Sequence, residues 1–238
     1  MQGLSIVIPV YKEKKNLIIL VKRIYEKIRI DNFEIIIIDD DSNDGSFEVL
    51  KKLKSKFKKL KFFIRKKKPR DLSRSCIVGF QKSKFDKILV MDGDLQHRPE
   101  EINKLNNKII YGNYDIVVGN RGLLEKRNKG LKLYRLISSV ILVLIVNLFL
   151  GLKTKDPMSG FFIFKKKIYF KNKKKIYGRG FKLLLDLVYS TKKRLKIFEY
   201  IIKFKSRKND KSKMNLKVIF HIIIAILNIF YQNFKIKN

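Results

Sequence analysis

Residues 4–10 form a short apolar, β-branched run, and behind them the period changes: Leu17, Leu20, Val21, Ile24 and Ile28 recur at helical spacing within 16–30. The first pattern predicts a buried strand and the second an amphipathic helix packed on it. The pair then repeats. Residues 33–38 are apolar apart from Glu34, close to the continuous run of a central parallel strand, and 47–57 return to helical spacing with Asp44 or Ser46 as the N-cap. A third strand over 60–64 leads through a basic loop to a helix that Asp71 or Ser73 begins and that carries Cys76, Ile77 and Phe80. A strand over 88–91, a helix near 100–110 and a strand over 115–118 complete the alternation. It predicts an α/β domain built on a mostly parallel sheet with right-handed crossovers.

Beyond residue 120 the pattern is different. The segment 131–152 contains an apolar run, 136–150, interrupted by Ser138, Ser139 and Asn147 and flanked by Lys and Arg. It is shorter than the roughly 20 residues a spanning helix needs. It reads as an interfacial amphipathic helix, with a buried core helix as the alternative. The loop Asp156-Pro157-Met158-Ser159-Gly160-Phe161 precedes a short strand over 161–165, and Gly178-Arg179-Gly180-Phe181-Lys182 open a helix through Tyr189. Residues 197–204 read as an edge strand, 204–213 as a polar basic loop, and 216–231 as a second apolar helix, again marginal as a span. One main domain is expected over 1–213, with a membrane-associating helix over 214–238.

Charge changes this picture only in part. The 238 residues carry 56 Lys and Arg against 21 Asp and Glu, a formal +35, which draws a protein towards phosphate-rich partners. Lysine, isoleucine and asparagine are abundant throughout, so part of that excess is background and location carries the information. Cys76 is the single cysteine; it can form no intrachain disulfide and is expected in a reducing compartment, packed as a small hydrophobe. The residues before the first strand lack the basic and apolar regions of a signal peptide, so the domain is expected on the cytoplasmic side.

The candidate chemistry sits where predicted strands end. The strand over 88–91 runs into Asp92-Gly93-Asp94, followed by Gln96 and His97. Two carboxylates one glycine apart repel each other unless a cation or a donor-rich ligand lies between them, and hard oxygen ligands suit Mg²⁺ or Mn²⁺. Gly93 would let a phosphate approach the backbone, and Gln96 adds a neutral oxygen. The first strand ends in Pro9-Val10-Tyr11-Lys12-Glu13, an aromatic face beside a carboxylate, suited to a flat heterocycle and its polar edge. The second ends in Asp39-Asp40-Asp41-Ser42-Asn43-Asp44. So many like charges need partners; some cap the next helix, and at least one is left to accept hydrogen bonds from a base or ribose. The basic loop 65–70 entering a helix N-terminus is a ready anion site. His97 and His221 read as structural.

The order of these motifs resembles that of the family 2 glycosyltransferases of the dolichol-phosphate mannose synthase, or polyprenyl-phosphate glycosyltransferase, type. The resemblance rests on Pro9-x-Tyr11-x-Glu13, Asp39-Asp40-Asp41-Ser42, Arg70-Asp71-Leu72-Ser73, Asp92-Gly93-Asp94-Leu95-Gln96-His97, Asn120-Arg121, Asp156 to Phe161, Gly180-Phe181-Lys182, Arg207 and Ser212-Lys213. It implies a GT-A fold, Mg²⁺ or Mn²⁺ as cofactor, and inverting transfer of a hexose, most simply mannose, from a nucleotide sugar to a polyprenyl phosphate at the cytoplasmic face of a membrane. The donor would be GDP-mannose, or UDP-glucose on nearly the same motifs. Carried over by position, Pro9, Tyr11, Glu13, Ile38 and Asp40 would hold the nucleoside. Asp92, Gly93 and Asp94 would hold the diphosphate and metal, with Asp94 and Gln96 as direct ligands. Arg207 and Lys213 would close over the diphosphate, and Arg121, Arg135 and Ser139 would hold the acceptor phosphate. Asp92, Asp94 and Arg207 are the expected catalytic set. Gly93 stands where many members carry Ala, Arg98 where many carry Pro, and Asp210 where a Gly is usual before the Ser-Lys pair.

Two other readings compete. A basic nucleic-acid binder would explain the charge, but aspartates clustered at strand tips repel phosphate, so no nucleic-acid partner is expected. A soluble family 2 enzyme acting on a polysaccharide is the nearer rival, opposed by Arg121, Arg135 and the two apolar segments. With the chain ending at Asn238, attachment is expected to be peripheral or to rely on a separate membrane-spanning partner.

Overall fold

The computed structural model describes residues 1–122, 143–146, 148, 153–180, 183–191, 194–203 and 224. Its first half alternates as expected: β1 (Leu4–Val10), α1 (Lys14–Lys27), β2 (Phe33–Asp39), α2 (Ser46–Lys56), β3 (Leu60–Ile64), α3 (Leu72–Lys82), β4 (Lys87–Val90), α4 (Glu101–Tyr111) and β5 (Ile116–Asn120). Then come β6 (Phe162–Lys165), α5 (Lys166–Asn172), α6 (Leu183–Tyr189) and β7 (Ile197–Ile201). Among the described residues the strands form one seven-stranded sheet in the order β3-β2-β1-β4-β6-β5-β7.

Every residue of β1 and of β2 is buried, because helices cover both faces of the sheet. Side chains of a strand alternate between faces. Ile6 and Ile8 therefore join α1, α2 and α4 in one apolar cluster. Val7, Ile36 and Ile38 join α3 and α6 in the other. Gly79 lets α3 press on the sheet, since a Cβ there would lie 2.3 Å from Val7 Cγ1.

Four features depart from the sequence pattern. β6 runs antiparallel to both neighbours, β4 and β5, so the sheet is parallel except for this one strand. The N-cap of α2 is Gly45, in a left-handed conformation at φ 83°; Asp44 acts from one residue earlier, its Oδ1 accepting from the Ser46 amide and hydroxyl. Gly178 and Gly180 have φ of 62° and 81° and so precede the helix instead of forming its first turn. α5 follows β6 with no intervening loop, where the lysine-rich sequence suggested no element. By contrast Asp71 does cap α3, accepting from the Arg74 amide, and β7 is an edge strand.

Candidate active site

The carboxyl ends of the parallel strands β1, β2, β4 and β5 share one edge of the sheet, and the antiparallel β6 brings its entering loop, 156–161, to that same edge. The strand order reverses between β1 and β4, the place where open α/β sheets bind ligands. Tyr11 lies just past β1 and Asp92 just past β4.

Asp92 and Asp94 are half-buried while Gly93 between them is buried. The loop folds back at once: the Gln96 amide donates to Asp94 Oδ1 at 3.0 Å, and Leu95 adopts φ 63°. Gln96 is 8% exposed. Space beside Gly93 is taken by Val10, whose Cγ1 would lie 2.7 Å from an added Cβ. Behind Asp92 stands Gly160, where a Cβ would fall 2.5 Å from the Asp92 carboxylate; only glycine lets the 156–161 loop press against that carboxylate. His97 Nδ1 lies 3.9 Å from Asp92 Oδ2, and its ring stacks on Phe161 at 5.0 Å, in keeping with a structural histidine. Cys76 is fully buried beneath this floor, its thiol pKa raised well above the ordinary value by burial and then by Asp92 and Asp71. It is an inert thiol.

Arg121 faces the acidic floor from the end of β5. Its Nε and Nη2 donate to the two oxygens of Asp156 at 2.8 and 2.7 Å, and its amide donates to the same carboxylate. Burial disfavours the guanidinium charge, but Asp156 and then Asp92 outweigh it and raise the pKa. Asp156 itself is 0% exposed. Asp156 joins the candidate site through this pair although the sequence reading gave it no role beyond beginning the motif Asp156 to Phe161.

At the β2 tip each aspartate has partners, as the electrostatics required. Asp39 Oδ1 accepts from the Ser42 amide and hydroxyl. Asp40 is buried, with Oδ1 2.5 Å from Arg65 Nη2 and Oδ2 accepting from the Asp71 amide at 2.6 Å. Burial still holds the Asp40 pKa above the ordinary range, against the Asp71 amide and Arg65. Asp41, at φ 60°, is the least buried of the three and pairs with Lys68 at 2.6 Å. Arg70 donates to the Asp40 and Asp41 carbonyls and stacks its guanidinium 4.7 Å from the Tyr11 ring centre. Glu13 Oε2 accepts from Asn16 Nδ2. Pro9 and Ile38 pair across β1 and β2, and Ile38 is 0% exposed.

Asp71 reaches further. Its Oδ2 accepts from the Gly180 amide at 2.7 Å, while the Ser73 amide and hydroxyl both donate to the Gly180 carbonyl. The motif 70–73 thus grips the peptide of Gly180 from both sides and ties the 178–180 loop to the β2 tip. Tyr11, Glu13, Asp40, Asp92, Gly93, Asp94, Gln96 and Arg121 all gather at this edge; Arg135, Ser139, Arg207 and Lys213 lie outside the described residues.

A family model, Glycosyl transferase family 2, matches residues 5–172. The dolichol-phosphate mannosyltransferase of Pyrococcus furiosus is 34% identical over 92% of this chain, which spans 61% of that relative's length. Those of Mycosarcoma maydis and Saccharomyces cerevisiae are 32% and 30% identical, with 80% and 89% of their lengths covered. Among solved structures, a glucosyl-3-phosphoglycerate synthase from Mycobacterium tuberculosis superposes with a TM-score of 0.70 at 16% identity, over 95% of this chain and 78% of that one. At that identity the likeness speaks for the fold, and the fold is the GT-A architecture that the motif order implied. The family model spans most of the chain and two relatives are covered over four fifths or more of their length; the chain belongs to glycosyl transferase family 2.

Proposed function

We propose that this protein transfers a hexose, mannose in the simplest reading, from a nucleotide sugar to a dolichyl or other polyprenyl phosphate. The observation that carries this reading is the Asp92–Gly160–Arg121–Asp156 arrangement: an acidic floor for a donor diphosphate faces a partly buried, charge-stabilised arginine suited to a second phosphate. The names of the relatives support the lipid acceptor and the mannosyl donor.

A divalent ion fits the residues present. Among the described residues no group of three or more His, Cys, Asp or Glu gathers into a metal cage. Two strand-tip carboxylates and the nearby Gln96 amide are the sparse, hard-oxygen set that Mg²⁺ or Mn²⁺ uses when substrate phosphates complete its shell. In this reading Asp94 and Gln96 would hold the ion, which would supply positive charge against the leaving diphosphate. Asp92, braced by Gly160, orients the donor. Pro9, Tyr11, Glu13, Ile38 and Asp40 bound the nucleoside side, and Arg207 and Lys213 close over the diphosphate.

Arg121 keeps its charge because Asp156 anchors Nε and Nη2, and in this reading it would meet the acceptor phosphate together with Arg135 and Ser139. A phosphate monoester has a second pKa of about 6, so the acceptor is already anionic near neutrality and no strong general base is needed. One displacement then inverts the anomeric carbon: the acceptor phosphate oxygen forms the new bond as the bond to the nucleoside diphosphate breaks. The protein's main work is to hold two anions together.

A membrane surface is the natural place for this chemistry, because a polyprenyl tail stays in the bilayer. Within the helical residues 143–146 and 148, Val143 and Val146 are buried while Leu144, Ile145 and Leu148 are 59%, 37% and 80% exposed. An outward aliphatic face of this kind favours shallow insertion into a membrane surface. Among the described residues no helix is long and apolar enough to cross a membrane. The test offers the purified protein a radiolabelled nucleotide sugar with either polyprenyl phosphate or a soluble glycan. Label extracted into organic solvent supports the reading; label on the glycan alone overturns it.

A further inference from the structure

At the end of the sheet opposite the acidic floor, an open basin of about 660 Å³ lies between the amino ends of β1 and β4, the carboxyl end of α4, and the β6–α5 junction. Its lining carries five lysines, Lys84, Lys87, Lys165, Lys166 and Lys167, and one acid, Asp86. That acid is committed, accepting from the Gly3 amide at 3.0 Å and from Lys87 at 3.1 Å. Lys165 turns to Asn113 and Asp115, and Lys166 to the Ser83 carbonyl. Lys84 and Lys167 are exposed, so the basin keeps a strong positive excess at its mouth.

The basin is also apolar in part. Met1, Ile110 and Phe170 line it and are 82%, 47% and 39% exposed. Solvent-facing apolar side chains ringed by charge mark interaction sites more often than chance. Three features narrow the partner. A concave basin suits a protruding segment, whereas a bilayer presents a broad flat surface. The apolar floor calls for an apolar side chain, which a polyphosphate lacks. The Lys84 ammonium sits 4.5 Å from the Phe85 ring centre and that of Lys166 5.3 Å from Phe170, so cations are held beside the apolar surface, where carboxylates flanking an apolar side chain would meet them.

We infer that this basin docks an acidic segment of a partner protein, with an aliphatic or aromatic side chain seated on the floor and carboxylates paired to Lys84 and Lys167. Peptide segments are commonly held by such a combination of pocket and charge. The basin is at the amino ends of strands whose carboxyl ends form the active site, so the partner leaves the catalytic mouth open. It can hold the enzyme at a site of use without touching its substrates.

The experiment uses the full chain and a fluorescein-labelled peptide, Glu-Asp-Phe-Glu-Leu-Asp-Glu, read by anisotropy. Because the chain carries a formal +35, a charge-matched comparison is needed. Lys84→Glu with Lys167→Glu reverses the basin mouth, and Lys51→Glu with Lys52→Glu makes the same charge change on α2. The basin pair should weaken binding by about tenfold or more, and the α2 pair by less than about twofold. Replacing Phe and Leu of the peptide by Ser should weaken it as well. Equal losses in the two pairs would overturn the inference, leaving only general attraction. So would loss of binding to phosphatidylserine vesicles in the basin pair with peptide binding unchanged, since the surface would then be a lipid site. Lys84→Gln with Lys167→Gln, checked by thermal melting, serves if the reversal disturbs folding; unchanged peptide binding in that pair also overturns it.

Discussion

Asp156 and Arg121, 35 positions apart, form a two-pronged ion pair in which the acid is buried and the arginine, partly buried, also feels Asp92 across the site. The pair links the β5 end to the loop that Gly160 presses against the acidic floor. Removing the acid therefore leaves a desolvated cation as well as a loosened loop. Asp156→Ala should destabilise the fold by about 3 kcal/mol, the usual loss when one partner of a buried pair is removed. Asp156→Asn, which keeps the shape, should fold better yet raise KM for the lipid phosphate, because the Arg121 position is less strongly held. Thermal melts and acceptor titrations check the two; an unchanged KM in Asp156→Asn would detach the pair from acceptor binding.

Gly160 gives a sharper geometric test. A Cβ there would lie 2.5 Å from Asp92 Oδ2, so Gly160→Ala should push the carboxylate aside while leaving the core intact. Turnover should fall at least tenfold, about 1.4 kcal/mol or more of barrier, with a melting temperature close to the parent's. A variant with parental turnover would mean that the Asp92 position does not matter.

Glu34 sets a pH dependence away from the site. Burial raises its pKa, but the Lys84 amide, Lys61 and Ser5 outweigh that and hold it below the ordinary value. A depressed carboxyl pKa contributes stability above the unfolded value and loses it as pH falls through the folded one. Glu34→Gln should therefore be less stable than the parent at neutral pH, with the gap closing as pH drops below the ordinary glutamate range. Denaturant melts across that range check it; a gap that widened on acidification would reverse the sign.

Leu144 and Leu148, both exposed, should be the side chains that enter the bilayer. Burying one leucine is worth about 2 kcal/mol, so Leu144→Asp with Leu148→Asp should shift the protein from anionic vesicles to the supernatant in a sedimentation assay, by tenfold or more in partition. The same fraction bound in both proteins would move the membrane contact elsewhere.

Local features were legible because they are written in consecutive residues. The apolar run 4–10 coincides with β1, and Asp71, one of the two starts read for α3, caps it. Long-range ones were not. Nothing around Phe162–Lys165 says that this strand enters between β4 and β5 from the opposite direction, since strand order depends on pairing across the sheet. Gly178 and Gly180 read as a helix start, yet their backbone is set by Asp186 and by the Asp71–Ser73 grip, contacts that reach up to 109 positions. Likewise, the aspartates of 39–41 were expected to need partners, but Arg65 as the partner of Asp40 required the fold. The motif positions themselves were readable, and those described come together at one sheet edge.

The central claim is that the strand-tip carboxylates drive sugar transfer to a lipid phosphate. The most direct measurement is the rate at which label moves from GDP-mannose, with Mn²⁺ present, to extracted polyprenyl phosphate as sole acceptor, for the parent and for Asp94→Ala. The account predicts organic-phase label from the parent and a rate lower by about 100-fold or more in Asp94→Ala, the scale of losing a charge-stabilising group. Parental rates in Asp94→Ala would contradict it.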